Sequence, residues 1–380
     1  MPFERIDLRR ISVERDSTEL EQAVRRTVDA LRKGKIAVLP TETVYGLAAR
    51  VHDEDAVHRL VELKGREEGQ PFAVAFSGLN SVLDFVPEMS ELGLRLARRC
   101  WPGPVSLVMD ALDRGSEFYQ LPKSVQNVVS LAPTVGFRVP SHFFTLSVLS
   151  YLNEPIVLTS ANRTGKPETA SPEEIIAELG AGIDLLVDDG PIVDPKPSTV
   201  LRIEGNRYTV LREGVVRAAT IERLTARMIL FVCTGNTCRS PMAERICEKL
   251  LAERLGCPVD KLEDRGFVVL SAGVAAGYES LASPNAIATM NERGLDLNDH
   301  RSQQLNETHV RFADHIFTMT RGHREAILSY WPSADTRLNV LRLDGGDISD
   351  PIGGSEAVYE ACARQLEDEI DKRLDEILVP

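Results

Sequence analysis

The stretch Cys233-Thr234-Gly235-Asn236-Thr237-Cys238-Arg239-Ser240-Pro241 sets a thiol and a guanidinium with five residues between them, directly after the apolar run Met228-Ile229-Leu230-Phe231-Val232. That run has the character of a buried strand, and Pro241 suits the first turn of a helix with Ser240 as its N-cap. A strand, a tight loop and a helix amino terminus together form an anion cradle, because backbone N–H groups converge there and the helix dipole favours negative charge. The same dipole, with Arg239, stabilises an anionic sulfur on Cys233, which makes it a nucleophile. Arg239 offers two parallel donors to phosphoryl oxygens, a geometry that lysine cannot reproduce. Asn236, Thr237 and Ser240 complete the substrate-binding loop. The leaving group needs a proton, and Asp347-Ile348-Ser349-Asp350-Pro351-Ile352-Gly353-Gly354 offers Asp350 as general acid, with Asp347 as the alternative. A lone cysteine before an arginine would read as a buried structural thiol; loop, clamp, helix start and Asp-Pro pair together point to cysteine-dependent hydrolysis of phosphate esters or phosphoramidates.

A second set lies in the first half of the chain. The helical spacing of Ala56, Val57, Leu60, Val61 and Leu63 puts Lys64-Gly65-Arg66 at a helix exit, on a loop that presents both cations. Further on come Trp101-Pro102-Gly103-Pro104, Arg138-Val139-Pro140, Ser160-Ala161-Asn162, Pro197-Ser198-Thr199-Val200 and Leu211-Arg212-Glu213-Gly214. Neither a Walker A loop nor G-x-G-x-x-G occurs. Taken singly, the cations are a solvated helix end, the serines and asparagine are turn chemistry, Thr43 is a satisfied hydroxyl and the Trp-Pro segment is a packed turn.

The elements that must position these residues divide into two groups. Before residue 218, an amphipathic helix over 18–32, strand-like runs at 36–39, 73–76, 105–109, 135–139, 156–159 and 200–203, and helices near 89–99, 143–152 and 172–179 predict a twisted mixed sheet with helices. After residue 228, strands at 228–232, 267–271, 315–319 and 339–343 alternate with helices near 241–255, 283–294, 321–330 and 355–376, which predicts a doubly wound four-stranded parallel sheet with helices on both faces. Sites in such sheets lie at the carboxyl ends of the strands. The expected organisation is therefore α/β, with domains at 1–217 and 228–380 joined by a polar linker at 218–227.

The loop CTGNTCRS, with Ser271-Ala272-Gly273, His300-Arg301-Ser302 and the Asp-Pro pair, resembles low-molecular-weight protein-tyrosine phosphatases over nearly all of 228–376. Within that family the loop is similar to that of protein-arginine phosphatases, where threonine at the place of Thr237 accompanies phosphoarginine preference. The resemblance also implies that Cys238 forms a reversible disulfide with Cys233 under oxidation. Ile352 departs from the usual aromatic residue after Asp-Pro.

The ordered set Pro40-Thr41-Glu42-Thr43-Val44-Tyr45-Gly46-Leu47 through Leu211-Arg212-Glu213-Gly214 resembles the YrdC-like family over about 12–217. That resemblance implies synthesis of threonylcarbamoyl-AMP from L-threonine, bicarbonate and ATP, with release of pyrophosphate. The product serves the tRNA modification machinery that makes threonylcarbamoyladenosine. By matched motif, Thr43, Arg138, Ser160 and Ser198 would hold L-threonine. Lys64, Arg66, Thr134, Asn162 and Arg212 would contact ATP, with magnesium accompanying the nucleotide and no direct protein ligand to a metal. The segment Gln70-Pro71-Phe72-Ala73-Val74-Ala75 places Ala75 where the family carries a threonine-contacting histidine. A rival reading makes this half a non-catalytic nucleotide- or RNA-binding regulatory module attached to a tyrosine phosphatase.

Bulk properties narrow the classes. The 380 residues carry a net charge of -13, and acidic residues outnumber basic ones on both sides of Ala226, so no bulk charge advertises nucleic-acid binding. Met1-Pro2-Phe3-Glu4-Arg5 runs at once into charged residues, and no apolar stretch approaches the roughly 20 residues of a bilayer span. Six cysteines form neither a disulfide framework nor a zinc pattern, and a reducing cytoplasm is the expected compartment.

Overall fold

The computed structural model describes residues 3–11, 17–66, 69–111, 115–131 and 133–378. Met1 and Pro2 of the amino-terminal reading, and the first of the residues matched to the YrdC-like pattern, lie outside them. The chain forms two compact units, Met1–Ile221 and Glu222–Pro380.

In the first unit eleven strands are described: β1 (Glu4–Asp7), β2 (Ala37–Leu39), β3 (Gly46–Arg50), β4 (Ala73–Ala75), β5 (Val105–Asp110), β6 (Ser130–Leu131), β7 (Thr134–Arg138), β8 (Ile156–Ser160), β9 (Leu185–Asp188), β10 (Thr199–Glu204) and β11 (Arg207–Arg212). They form one mixed sheet in the order β1-β9-β2-β3-β8-β4-β7-β5-β10-β11, with β6 beside β7. The helix Thr18–Arg32 starts where Ser17 accepts a bond from Leu20 N, and its buried stripe includes Leu20, Val24, Val28 and Leu31. That stripe joins one core cluster with Leu39, Ala48, Phe144, Val148 and Leu158, so the helix covers a face of the sheet. The helix Glu54–Lys64 is capped by Asp53 and stopped by Gly65 at φ 61, a left-handed position that glycine adopts without strain. Lys64 is therefore the last helical residue rather than part of a presenting loop. Its side chain turns inward and is 3% exposed.

The second unit is a parallel sheet of β12 (Arg227–Cys233), β13 (Phe267–Gly273), β14 (His315–Thr318) and β15 (Leu338–Val340), in the order β13-β12-β14-β15. Alternation along β12 sends Ile229, Phe231 and Cys233 to one face and Leu230 and Val232 to the other. The first set packs in a cluster with the helices Arg239–Leu255 and Glu356–Leu378, and the second in a cluster with Val310, Ala313 and Ile327. The chain leaves β12 for β13 on one side and reaches β14 on the other. The carboxyl end of β12 is thus the point where strand order reverses, which is where doubly wound sheets hold ligands.

Two local expectations are corrected. The polar linker read over 218–227 contains a helix, Ala218–Thr225, because Ile221 is fully buried and gives the segment an apolar anchor. The helix after the thiol loop begins at Arg239 with Cys238 at its N-cap position and no side-chain cap. Ser240 therefore does not cap it; its hydroxyl is drawn into the loop interior instead. Among the described residues no helix is long and apolar enough to cross a membrane.

Candidate active sites

Cys233 ends β12, and the next five residues wrap back over its sulfur. Asn236 N donates to Cys233 Sγ at 3.2 Å and Ser240 Oγ lies 3.0 Å from it. Asn236 takes φ 54, an uncommon left-handed position for a residue with a side chain, and its side chain secures that turn. Its Nδ2 donates to Ser240 Oγ at 2.9 Å and to Ser271 Oγ at 2.8 Å, while Oδ1 accepts from Gln303 N at 2.9 Å. His300 Nε2 donates to the Asn236 carbonyl at 2.7 Å, and burial lowers the His300 pKa, which favours the neutral ring. Ser271 Oγ passes the chain on to Glu244 Oε2 at 2.5 Å. Every polar group of Asn236 is thus committed, which fixes a loop that turns its Asn236 N–H onto the sulfur. Gly273 on β13 permits that packing, since a Cβ there would lie 2.5 Å from Thr234 O and 2.9 Å from Asn236 N.

Arg239 is 5% exposed. It donates through Nη2 to Asp350 Oδ2 at 2.5 Å and through Nη1 to Ile348 O at 3.3 Å. The expected nucleophile, clamp and acid therefore converge: Cys233 and Arg239 sit on one loop, and Asp350 reaches that loop from the segment after β15. Asp347, the alternative acid, instead accepts from Arg321 N at 2.9 Å. Ile352 is 71% exposed. Cys238 Sγ lies 3.4 Å from Tyr359 OH, which also accepts from Ser283 Oγ at 3.1 Å, and both Cys233 and Cys238 are free thiols. Thr237 lies at the loop edge, where it helps to line an open cavity of about 690 Å³ with Leu281, Pro284 and Ile287.

In the first unit a cavity of about 420 Å³ opens over the sheet and is lined by Arg66, Thr134, Arg138, Ser160, Ser198 and Arg212 among others. Six of the nine residues expected at the site thus share one wall. The other three stand behind it. Lys64 Nζ donates to Ser160 O at 2.7 Å, Ser160 Oγ at 3.1 Å and Asn162 Oδ1 at 2.7 Å, so Lys64 and Asn162 hold the Ser160 turn from within. Burial lowers the Lys64 pKa to about 8. Thr43 Oγ1 accepts from Arg138 Nη2 at 2.7 Å, and Glu42 Oε1 accepts from the same nitrogen at 3.0 Å. Arg138 Nε is buried without a partner among the described residues.

Arg66 lies over the Phe72 ring at 4.6 Å and donates to Gln70 O, Pro71 O and Thr159 Oγ1. Among the described residues Arg212 donates only to Ser198, through its carbonyl at 3.0 Å and its hydroxyl at 3.2 Å. Neither guanidinium is bonded to a carboxylate among the described residues. Burial, then the charge of Arg212, lowers the Arg66 pKa, whereas Arg212 is itself lowered by burial foremost, with Glu168 attracting and Arg138 repelling its charge, so Arg66 bears repulsion within the cavity. An anion would relieve that repulsion. Ala75 is fully buried on β4 between β7 and β8, within the core cluster, and does not line the cavity.

Several residues here had no role in the sequence reading. Ser106 Oγ lies 3.0 Å from Ser198 Oγ, and Glu168 lines the cavity with its Oε2 buried and unpartnered. In the second unit Glu244, Tyr359 and His323 stand behind the thiol loop. Only Ser271 and His300 carried a signal, as members of quoted motifs; the rest are single polar residues on helices and loops.

Comparison with known proteins agrees with this division. A family model for Sua5/YciO/YrdC proteins, described as "Telomere recombination", matches residues 29–214, and one described as "Low molecular weight phosphotyrosine protein phosphatase" matches 228–378. A threonylcarbamoyl-AMP synthase of Pyrococcus abyssi is 33% identical over 54% of this chain and 57% of its own length. The rat threonylcarbamoyl-AMP synthase is 30% identical over 57% of this chain and 75% of its own. A protein-arginine-phosphatase of Geobacillus stearothermophilus is 39% identical over 39% of this chain and 95% of its own. The chain thus spans little more than half the length of the archaeal synthase but nearly all of the phosphatase. With each half matched to its own family, the chain belongs to the Sua5/YrdC synthase family through its first unit and to the low-molecular-weight phosphatase family through its second.

Proposed function

We propose that the chain is a bifunctional enzyme with two independent sites. At the first, L-threonine, bicarbonate and ATP give threonylcarbamoyl-AMP, pyrophosphate and water, a product destined for tRNA modification. The observation that carries this reading is the pair Arg66 and Arg212, two guanidiniums lining one cavity with no carboxylate bonded to either among the described residues, as departing pyrophosphate requires. Arg138, braced by Glu42 and Thr43, reads the threonine carboxylate, and Ser160 and Ser198 hold its polar groups. Thr134 and Asn162 serve ATP, Asn162 by fixing the Ser160 turn. Magnesium would arrive on the triphosphate oxygens, held by the nucleotide rather than by a direct protein ligand.

Lys64 supplies a pH test. Its amine loses its proton as pH rises through about 8, so the positive field behind Ser160 fades there. Because the folded-state pKa is below that of the unfolded chain, folding gains from this group as pH rises above 8. Pyrophosphate release should therefore decline above pH 8 while this lysine costs the fold nothing, and a rate flat from pH 7 to 10 would contradict the assignment.

At the second site the Cys233 thiolate attacks phosphorus and forms an S–P bond as the P–N or P–O bond breaks, with Asp350 giving its proton to the leaving group. Water, deprotonated by Asp350, then releases phosphate and regenerates the thiolate. Arg239 and main-chain N–H groups of the loop hold the phosphoryl oxygens meanwhile, while Asn236 and Ser240, both fully buried, keep the loop in shape from within. The carrying observation is the fully bonded Asn236 turn, which aims its own N–H at Sγ beside the Arg239–Asp350 pair. For Arg239 to grip phosphate, part of its bonding to Asp350 must give way, which also frees the carboxyl to act.

We infer that the substrate is protein phosphoarginine rather than phosphotyrosine, on the threonine at 237 and the arginine-phosphatase relative. Thr237→Ile should lower the ratio of kcat/KM on phosphoarginine to that on phosphotyrosine by about 10-fold. An unchanged ratio would overturn the preference. ATP and reduced thiols are both supplied in the cytoplasm, where this reading sets the protein.

A further inference from the structure

The helix Arg321–Tyr330 follows β14 and meets the phosphatase site from the side opposite the Asn236 network. Its N-cap Thr320 accepts from His323 N at 3.2 Å, which fixes the first turn. From that turn the His323 ring reaches Thr234, the residue next to the nucleophile, with Nε2 2.9 Å from Thr234 Oγ1. On the same turn Arg321 N binds Asp347 Oδ1 at 2.9 Å, and Met319 O accepts from Ile348 N at 2.8 Å, so the segment carrying Asp350 is tied to the start of this helix too. His323 is 7% exposed, and its Nδ1 is buried with no partner. A buried ring with one satisfied nitrogen is costly unless that single bond matters.

We propose that His323 is a positioning residue for the phosphatase, which pins Thr234 to the helix that also holds the Asp347–Asp350 segment and so sets the nucleophile against the acid. The inference rests on the reading of the Cys233 loop as a phosphatase site. The Asn236–Ser240–Ser271–His300 network fixes the middle of the loop, whereas Thr234 is otherwise held by its carbonyl, which accepts from Ala275 N at 2.9 Å. Loss of the imidazole would let the segment after Cys233 shift relative to Asp350, and small misplacements of reacting groups are expensive in rate. The charged groups acting on the ring are Arg239, Asp350 and Asp347; burial foremost and then Arg239 lower its pKa to about 4, so the pin is neutral at physiological pH. A neutral ring adds no charge that would compete with phosphate for Arg239.

The test uses the whole chain, p-nitrophenyl phosphate as probe and Cys233→Ser as the baseline. His323→Phe keeps ring volume and removes the bond, and kcat should fall about 10- to 100-fold with little change in KM. His323→Gln, whose amide can reach the place of Nε2, should recover most of the loss. Thr234→Val, close in shape, should reproduce it, and the double variant His323→Phe/Thr234→Val should be no worse than either single one. Thermal midpoints separate this from simple unfolding; should His323→Phe fail to fold, Thr234→Val alone decides. Unchanged kcat in Thr234→Val, glutamine no better than phenylalanine, or losses that multiply in the double variant would each overturn the proposal. Hydrolysis persisting in Cys233→Ser would instead remove the phosphatase reading on which it rests.

Discussion

Serine in place of Cys233 should abolish phosphate release from phosphoarginine and from p-nitrophenyl phosphate, by on the order of 10⁴-fold or more. The substitution changes one atom. Serine can still accept the bond from Asn236 N and face Ser240, so the loop and the thermal midpoint should hold. What disappears is the sulfur nucleophile, and a serine hydroxyl is a far weaker one at neutral pH. Residual turnover near the native rate would mean that phosphate hydrolysis does not pass through a cysteinyl-phosphate. Initial rates at matched protein concentration, with circular dichroism to check the fold, give the answer.

The second large effect belongs to the other site. Arg212→Met should lower pyrophosphate release dependent on threonine and bicarbonate by about 10²- to 10³-fold, the usual cost of removing one donor aimed at developing charge. Arg212 suits this test because among the described residues its bonds run only to Ser198 and the residue is exposed, so its loss should cost the fold little. Arg138 would serve less well: it is buried against Glu42, and its removal would strand a carboxylate. A native rate in Arg212→Met would exclude it from the chemistry. If the native chain releases no pyrophosphate at all, the first unit is a binding module.

The second unit was largely legible because its pattern is local. Each strand is an apolar run, each helix is amphipathic, and a parallel sheet follows from their alternation. The thiol loop was legible for the same reason: nucleophile, anion cradle and clamp lie within nine residues. Its supports were not, because Glu244, Tyr359 and His323 reach the loop from three separate helices and become neighbours only in the tertiary fold. The start of the helix was misread, since Ser240 has a good cap's chemistry but is drawn off by Cys233 and Asn236.

In the first unit β1, β3, β6, β9 and β11 were missed. β3 contains Gly46 and two alanines and lacks β-branched residues, and β11 is bounded by Arg207 and Arg212 and mostly exposed, so neither shows the apolar run of a core strand. The inward turn of Lys64 was equally hidden. A lysine at a helix end ordinarily reaches solvent, and here it faces in because Ser160 and Asn162, almost a hundred residues later, supply acceptors on β8 and its following turn.

The central claim is that one chain carries two separable active sites, and a crossed assay of its two single variants addresses it most directly. Cys233→Ser should retain threonine-dependent pyrophosphate release at the native rate while losing phosphatase activity, and Arg212→Met should show the reverse. If either substitution silences both reactions in a chain that remains folded, the two sites are not independent and the account is wrong.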